Sequence, residues 1–373
     1  MEDGSLSSEL TIIIPTYNER ENIQTTVACL NIALQGVNWE VIFVDDDSPD
    51  GTADAVRNLA QTDRRIRCLQ RIKRKGLSSA CIEGIMASSA PFIAVMDADL
   101  QHDESILPRM LFELKTQPVD IVIGSRYMEG GSTGDLSPSR VWISRAATTL
   151  SRLVLSQTIS DPMSGYFMLR RSFFEKVMRK LSGRGFKILL DILVSAGGAV
   201  RYSDCPYNMR NRTHGESKLG VVVIWEYLML ILYKGLGRIV PARFLSFAAV
   251  GGSGIFVNIF FLWMLYRIYA ADFVVSQTVA TLIAMTSNYI LNNQFTFGER
   301  KLRGRRFFYG LLSFYLSCAV GAIINIAVAD MFYLRAFPWW LAGLAGVIVG
   351  VVWNYSMTST FTWREQDENE TRK

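Results

Sequence analysis

Four apolar stretches, at about 244–266, 273–292, 307–329 and 339–361, are each long enough to cross a bilayer, so a large part of this chain must fold in lipid. The rest has a different character. Of 373 residues, 50% are hydrophobic and only 20% charged, below the roughly 25% charge of soluble chains. The shortfall is uneven, because residues 1–220 hold most of the carboxylates. This pattern excludes a globally disordered chain and a small disulfide-stapled scaffold. The five cysteines are scattered, without a CxxC pair, and read as reduced thiols. The net charge of +5 comes without a long basic run, so no nucleic-acid partner is expected. The acidic, polar start MEDGSLSSEL does not resemble a signal peptide, which places the N-terminal half in the cytosol.

Basic residues orient the spans. Lys234, Arg238 and Arg243 precede the first, and Arg300, Lys301, Arg303, Arg305 and Arg306 lie between the second and third, whereas the remaining loops offer only Arg267 and Arg335. The positive-inside rule puts both termini in the cytoplasm. The region also looks duplicated: Ser246, Phe247, Gly254 and Asn258 recur 67 residues later as Ser313, Phe314, Gly321 and Asn325. NYILNNQFTF (288–297) recurs 66 residues later as NYSMTSTFTW (354–363). Two tandem hairpins of one design, in the same orientation, are the simplest explanation.

From residue 10 to about 207, short Val/Ile-rich runs alternate with helical stretches. Strands are expected at 10–15, 40–44, 66–70, 92–96, 120–124 and 165–169, and helices at about 19–34, 52–62, 77–89 and 103–117. This alternation predicts a mostly parallel sheet covered by helices on both faces. Asn18 and Glu21 have the residue types of a capping box. Residues 221–233, apolar but for Glu226, are too short to span, and 139–157 is a second candidate, where Trp142, Ala146, Thr149, Leu150 and Leu153 share a face beside Arg145 and Arg152. The first suits an interfacial or a core helix; the second suits a helix lying at a membrane surface and an ordinary amphipathic helix on the sheet equally well.

In open α/β sheets, ligands bind beyond the carboxyl ends of the strands. DADLQH puts Asp97 and Asp99 there, two apart after FIAVM. Such carboxylates repel unless a cation joins them, and oxygen-only ligands suit Mg²⁺ or Mn²⁺, which in turn bind substrate phosphates. Gln101 offers a third oxygen. In IIIPTYNE, Pro15 fixes the chain, Tyr17 can stack on a base and Glu19 can accept hydrogen bonds. The acids of VDDDSPDGT can bind a base edge or ribose, or else Ser48, Asp50 and Thr52 cap a helix. Arg126 in GSRY and Arg212 and Lys218 in RTHGESK are suited to phosphate.

The ordered set IIIPTYNE, DDDSPDGT, RKGLSSA, DADLQH, GSRY, SGY and RTHGESK resembles family 2 glycosyltransferases of GT-A fold, in particular those that glycosylate dolichyl or polyprenyl phosphate, over about residues 8–235. Residues 240–363 resemble the GtrA-like four-helix membrane family. The resemblance implies a GT-A domain at 8–220 containing the 139–157 helix, a second interfacial helix at 221–238, and a transmembrane domain at 240–363. It implies that Pro15, Tyr17, Glu19, Val44 and Asp46 line the nucleotide, while Asp97, Ala98, Asp99 and Gln101 hold metal and diphosphate. Arg126, Arg140, Arg212 and Lys218 would bind the donor and lipid phosphates. RKGLSSA departs from the family in having Ser78 where glycine is usual.

The implied reaction moves a hexose, mannose from GDP-mannose first among the choices, to dolichyl or polyprenyl phosphate with inversion. It would take place on the cytoplasmic face of a membrane, the inner membrane in a bacterium. The catalytic residues would be Asp99, Arg126 and Arg212. UDP-glucose is the alternative donor. A processive polysaccharide synthase is disfavoured by the lack of a QxxRW segment. A lipid-linked-sugar transporter or scaffold with an inactive enzyme domain is disfavoured by the intact Asp97/Asp99 pair. Membrane lipid is an expected partner, and a homo-oligomer through the transmembrane domain is left open.

Overall fold

A computed structural model describes residues 8–132, 147–152, 154–183, 185–210, 221–235 and 241–363. The chain divides into two compact units, Met1–Gly235 and Leu236–Lys373.

In the first unit the expected alternation is realised as β1 (Leu10–Thr16), α1 (Arg20–Ala33), β2 (Trp39–Asp45), α2 (Thr52–Ala60), β3 (Ile66–Gln70), α3 (Leu77–Ala87), β4 (Phe92–Val95), α4 (Leu107–Thr116) and β5 (Ile121–Ser125). There follow β6 (Phe167–Arg170), α5 (Arg171–Val177), α6 (Ile188–Ser195), β7 (Tyr202–Pro206) and α7 (Val221–Gly235). The sheet order is β3-β2-β1-β4-β6-β5-β7, and β6 runs antiparallel to both neighbours while every other pairing is parallel. Strand residues alternate between two cores. Ile12, Ile14, Val41, Phe43 and Val122 pack on one face, and Ile13, Ile42, Val44, Ile121 and Ile123 on the other. The carboxyl ends of β1, β2, β4 and β5 therefore share one edge, joined by the loops that precede β6 and follow β7.

Two local expectations change. The capping box at Asn18 does not form: Asn18 takes φ +58, and Glu19 occupies the N-cap of α1 without a side-chain cap. β7 has no expected counterpart, since an edge strand of this kind buries only Cys205 and carries no apolar alternation. The apolar run 221–233 forms α7, whose Tyr227, Leu230 and Ile231 are buried against Met163 and Leu190, while Leu228 is exposed. Leu150 of the 139–157 segment joins that cluster and Thr149 is exposed. Trp142, Arg145, Ala146 and Leu153 lie outside the described residues.

The second unit contains α8 (Ala242–Trp263), α9 (Phe273–Leu291), α10 (Arg305–Leu334) and α11 (Trp339–Met357), with π-helical turns at Met264–Ile268, Asn292–Thr296 and Thr358–Thr362. Among the described residues three helical stretches, Arg243–Ile268, Arg305–Phe332 and Leu344–Thr362, are long and apolar enough to cross a membrane. The segment expected at 273–292 is α9, where Gln277, Thr281, Thr286 and Asn288 dilute the apolar sequence.

Equivalent contacts recur between the helix pairs. Ser246 Oγ lies 2.9 Å from Thr296 Oγ1, and Ser313 Oγ lies 2.9 Å from Thr362 Oγ1. A Cβ on Gly254 would lie 2.5 Å from Asn288 Nδ2, and one on Gly321 would overlap Asn354 Oδ1. Tyr289 packs edge-on or tilted against Phe314 of the other pair, and Tyr355 against Phe247. Phe297 and Trp363 stack with centroids 4.3 Å apart, and Trp363 Nε1 donates to Asn293 Oδ1. Glycine at these positions lets backbones approach where lipid supplies no hydrophobic drive between helices. Gly321→Ala should therefore destabilise the second unit by about 1–3 kcal/mol. This is read as a lower thermal midpoint in detergent, and Asn354→Ala in the same chain should restore most of it by vacating the space.

Candidate active site

The loop after β2 braces the start of α1 and caps its own helix, α2. Ser48 Oγ accepts from Asn18 N, Thr52 Oγ1 from Glu19 N, and Asp50 Oδ2 from Arg20 N, so the first amides of α1 are satisfied by the following loop. Asp50 Oδ1 also accepts from Thr52 N at the start of α2. Those hydrogen bonds hold the Asp50 carboxyl below its ordinary pKa against the opposing effect of burial. Asp45, fully buried, shapes the turn by accepting from Ser48 N and Oγ and Thr16 Oγ1. Non-glycine residues with positive φ occur in all three loops that follow β1, β2 and β4: Asn18, Asp47 and Leu100. Asn and Asp tolerate that region, but Leu100 is strained there, as happens where surrounding structure over-determines a functional loop.

Of the expected nucleotide residues, Pro15, Tyr17 and Glu19 are half-buried at the end of β1, and Val44 and Asp46 are buried at the end of β2. Asp46 Oδ2 accepts from Gly76 N at 2.7 Å and its Oδ1 lies 2.9 Å from Arg71 Nη1. Burial, reinforced by the Asp45 and Glu83 charges, keeps its pKa above the ordinary carboxylate value despite Gly76 N–H and Arg71. Arg71, which the sequence gave no reason to single out, is only 4% exposed and also donates to Gly76 O and Ser79 Oγ. In this way the RKGLSSA turn is tied to the loop after β2. Gly76 takes φ +139 there, and the departing residue, Ser78, donates its N–H to Gly185 O while its hydroxyl is buried without a partner among the described residues. Lys75 Nζ sits 4.2 Å above the Tyr17 ring and donates to its hydroxyl.

At the end of β4, Asp97 is half-buried and Ala98 and Asp99 are buried. His102, quoted within the motif but given no role from sequence, takes the Asp97 amide on Nδ1 at 3.1 Å. It stacks on Tyr166 and meets the edge of Tyr207. Gly165 leaves room for Asp97: a Cβ there would stand 3.0 Å from Asp97 Oδ2. Asp99 Oδ1 accepts from Gln101 N. Gln101 is clasped to Arg210, donating Nε2 to its carbonyl and accepting its N–H on the Gln101 carbonyl. The Arg210 guanidinium reaches Asp103 and Glu104. Arg140, Arg212 and Lys218 lie outside the described residues.

Arg126 follows β5 and donates Nε and Nη2 to the fully buried Asp161 at 2.7 and 3.0 Å. Burial works against the guanidinium charge, but Asp161 outweighs it and raises the Arg126 pKa. Lys187, also invisible to the sequence argument, donates to Met163 O. Burial and the Arg126 charge lower its pKa, while Asp97 and Asp161 oppose that shift. One turn, 161–165, thus meets Arg126 through Asp161, Lys187 through the Met163 carbonyl and Asp97 at Gly165.

Among the described residues no group of three His, Cys, Asp or Glu side chains could hold a metal ion by itself. Two carboxylates two residues apart, with an amide whose nitrogen is already engaged, make a hard-oxygen half-site. That chemistry fits Mg²⁺ or Mn²⁺, which complete their coordination with waters and substrate phosphates. It does not fit an all-protein cage.

Residues 11–178 match the glycosyl transferase family 2 model, and residues 246–363 match the GtrA/DPMS transmembrane domain. The chain is a glycosyltransferase with a membrane domain. It is 36% identical to the dolichol-phosphate mannosyltransferase of Pyrococcus furiosus over 359 residues, covering 95% of this chain and 99% of that one. The Saccharomyces cerevisiae dolichol-phosphate mannosyltransferase is 34% identical over 232 residues, covering 60% of this chain and 85% of that one. A crystal structure of a mycobacterial protein shares the fold with a TM-score of 0.50 at 15% identity, over 62% of this chain and 76% of that one. The chain belongs to the dolichol-phosphate mannosyltransferase family.

Arg71 offers a direct test of the electrostatics. Removing one member of a buried pair leaves an uncompensated charge and costs about 3–5 kcal/mol. Arg71→Met should therefore lower the thermal midpoint strongly, and the cost should shrink when Asp46→Asn is present in the same chain.

Proposed function

We propose that the protein transfers mannose from GDP-mannose to dolichyl or polyprenyl phosphate, with inversion, on the cytoplasmic side of a membrane. The observation that supports this best is the turn at 161–165, which meets Arg126 through Asp161, Lys187 through the Met163 carbonyl and Asp97 at Gly165. An acidic cation half-site and cationic phosphate binders suit a reaction between two anions. Pro15, Tyr17, Glu19, Val44 and Asp46 bind the nucleotide in this proposal. Asp97 and Asp99 hold Mg²⁺ or Mn²⁺ together with Gln101, through the oxygen of its amide. Bound there, the cation neutralises charge on the departing diphosphate. The acceptor phosphate is already anionic, so no strong general base is needed. Its oxygen forms a bond to the anomeric carbon as the bond to the diphosphate breaks on the opposite face. Arg126, Arg140, Arg212 and Lys218 hold the two anions at bonding distance, so the protein's part is positioning and electrostatics.

In the same proposal residues 8–220 form the catalytic domain, 221–238 an interfacial helix, and 240–363 four spans arranged as two tandem hairpins with both termini cytoplasmic. The basic loop 300–306 supports that orientation.

The donor decides the reading. Membranes containing the protein and a short-chain polyprenyl phosphate should transfer label to lipid from GDP-mannose. Labelling from UDP-glucose alone would replace mannosyl with glucosyl transfer. Asp99→Asn, nearly isosteric at a buried position, should lower turnover by at least about 100-fold with an unchanged thermal midpoint. Full turnover of the unsubstituted protein in excess EDTA would remove the cation from the proposal.

A further inference from the structure

Asp161 is fully buried (0% exposed), whereas its partner Arg126 keeps 14% of its side chain exposed. The pair is joined through Nε and Nη2, the side-on edge of the guanidinium, so Nη1 lies outside it. Asp161 is itself fixed by the turn that carries it. Its carbonyl accepts from Ser164 N at 3.1 Å, and Ser164 Oγ donates to Gly124 O at 2.7 Å, just before Arg126 in sequence. Met163 in the same turn gives its carbonyl to Lys187 Nζ and buries its side chain among Leu190, Tyr227, Leu230 and Ile231. The turn is thus tied to β5, to the start of α6 and to α7, independently of the Arg126 side chain. A carboxylate so fixed orients the flexible arginine, because a guanidinium bound by two parallel hydrogen bonds has one allowed plane.

We infer that Asp161 is a positioning residue for the transfer reaction: it holds Arg126 by the Nε–Nη2 edge and presents the Nη1 edge to a substrate phosphate. The inference rests on the reading of Arg126 as a phosphate ligand. Asp161 touches no substrate; its effect passes through the plane and reach of Arg126. Glutamate at this position keeps the charge but pushes the guanidinium along by one methylene, and a misplacement of about 1 Å in a reacting site can cost about 100-fold in rate. Asparagine keeps the shape and can accept only one of the two hydrogen bonds.

The test is a mutant cycle in the full-length protein in detergent, using the donor that the unsubstituted protein turns over and a short-chain polyprenyl phosphate. Asp161→Glu and Asp161→Asn should each lower kcat by roughly tenfold to 100-fold while donor KM moves by less than about threefold. Asp161→Asn combined with Arg126→Ala should turn over no more slowly than Arg126→Ala alone, as residues acting through one group are non-additive. Thermal midpoints identify any loss that comes from unfolding. If Asp161→Asn does not fold, Asp161→Glu decides by its split between kcat and KM. With Arg126→Ala impaired, wild-type kcat in Asp161→Glu, or losses that simply multiply in the double variant, would overturn the inference. Arg126→Ala turning over at the wild-type rate would instead remove Arg126 from the reaction, and with it the reading beneath the inference.

Discussion

Sealing a carboxylate away from water is tolerable only when its lone pairs and charge are answered, and the first unit does this repeatedly. Asp45 is met by Ser48 and Thr16, Asp46 by Arg71 and Gly76, Asp161 by Arg126, and Asp191 by Ser182 and Lys234. Each arrangement pins one loop or helix to another that is distant in sequence. Together they fix the carboxyl edge of the sheet, where a ligand pocket would otherwise consist of independent loops. The two clusters behind the sheet supply cohesion, but they are apolar and cannot set the direction of a polar group. That role falls to the buried charges.

The Asp191–Lys234 pair, 2.7 Å apart, extends the same logic to α7. Lys234 also donates to Lys180 O and Ser195 Oγ, so one ammonium ties this helix to the end of α6 and the segment before it. Tyr227 adds a hydrogen bond to Ala147 O. An apolar helix held in this way has one face committed to the protein, while Leu228 on the remainder is exposed.

The architecture was legible where burial writes a pattern into sequence. The Val/Ile runs predict β1 to β6, and the acidic pair after FIAVM falls at the carboxyl end of β4. What sequence missed is instructive. Arg71, His102, Asp161 and Lys187 acquire their roles from partners on other elements: Lys187 meets Met163, 24 positions away, and Arg126 meets Asp161, 35 away. A local window cannot contain such a pairing. The antiparallel setting of β6 is equally silent, because strand direction leaves no mark on composition. The failed capping box at Asn18 has the same origin, since the caps of α1 come from Ser48, Thr52 and Asp50.

In the second unit, Tyr289 reaches Phe314 while Tyr355 reaches Phe247, and Phe297 lies on Trp363. These are reciprocal contacts of the kind that a twofold homodimer makes, here within one polypeptide. The covalent link changes what such an interface can do. Two separate hairpins would part as they are diluted in the membrane; joined ones meet at an effective concentration set by the short connection, so their pairing does not depend on how much protein a cell makes. The link also frees the halves from identity. In a homodimer every substitution appears twice, but here Phe297 and Trp363 already differ across the stack, and α9 carries polar residues at positions where α11 is apolar. One half can acquire a task of its own while the other keeps the fold.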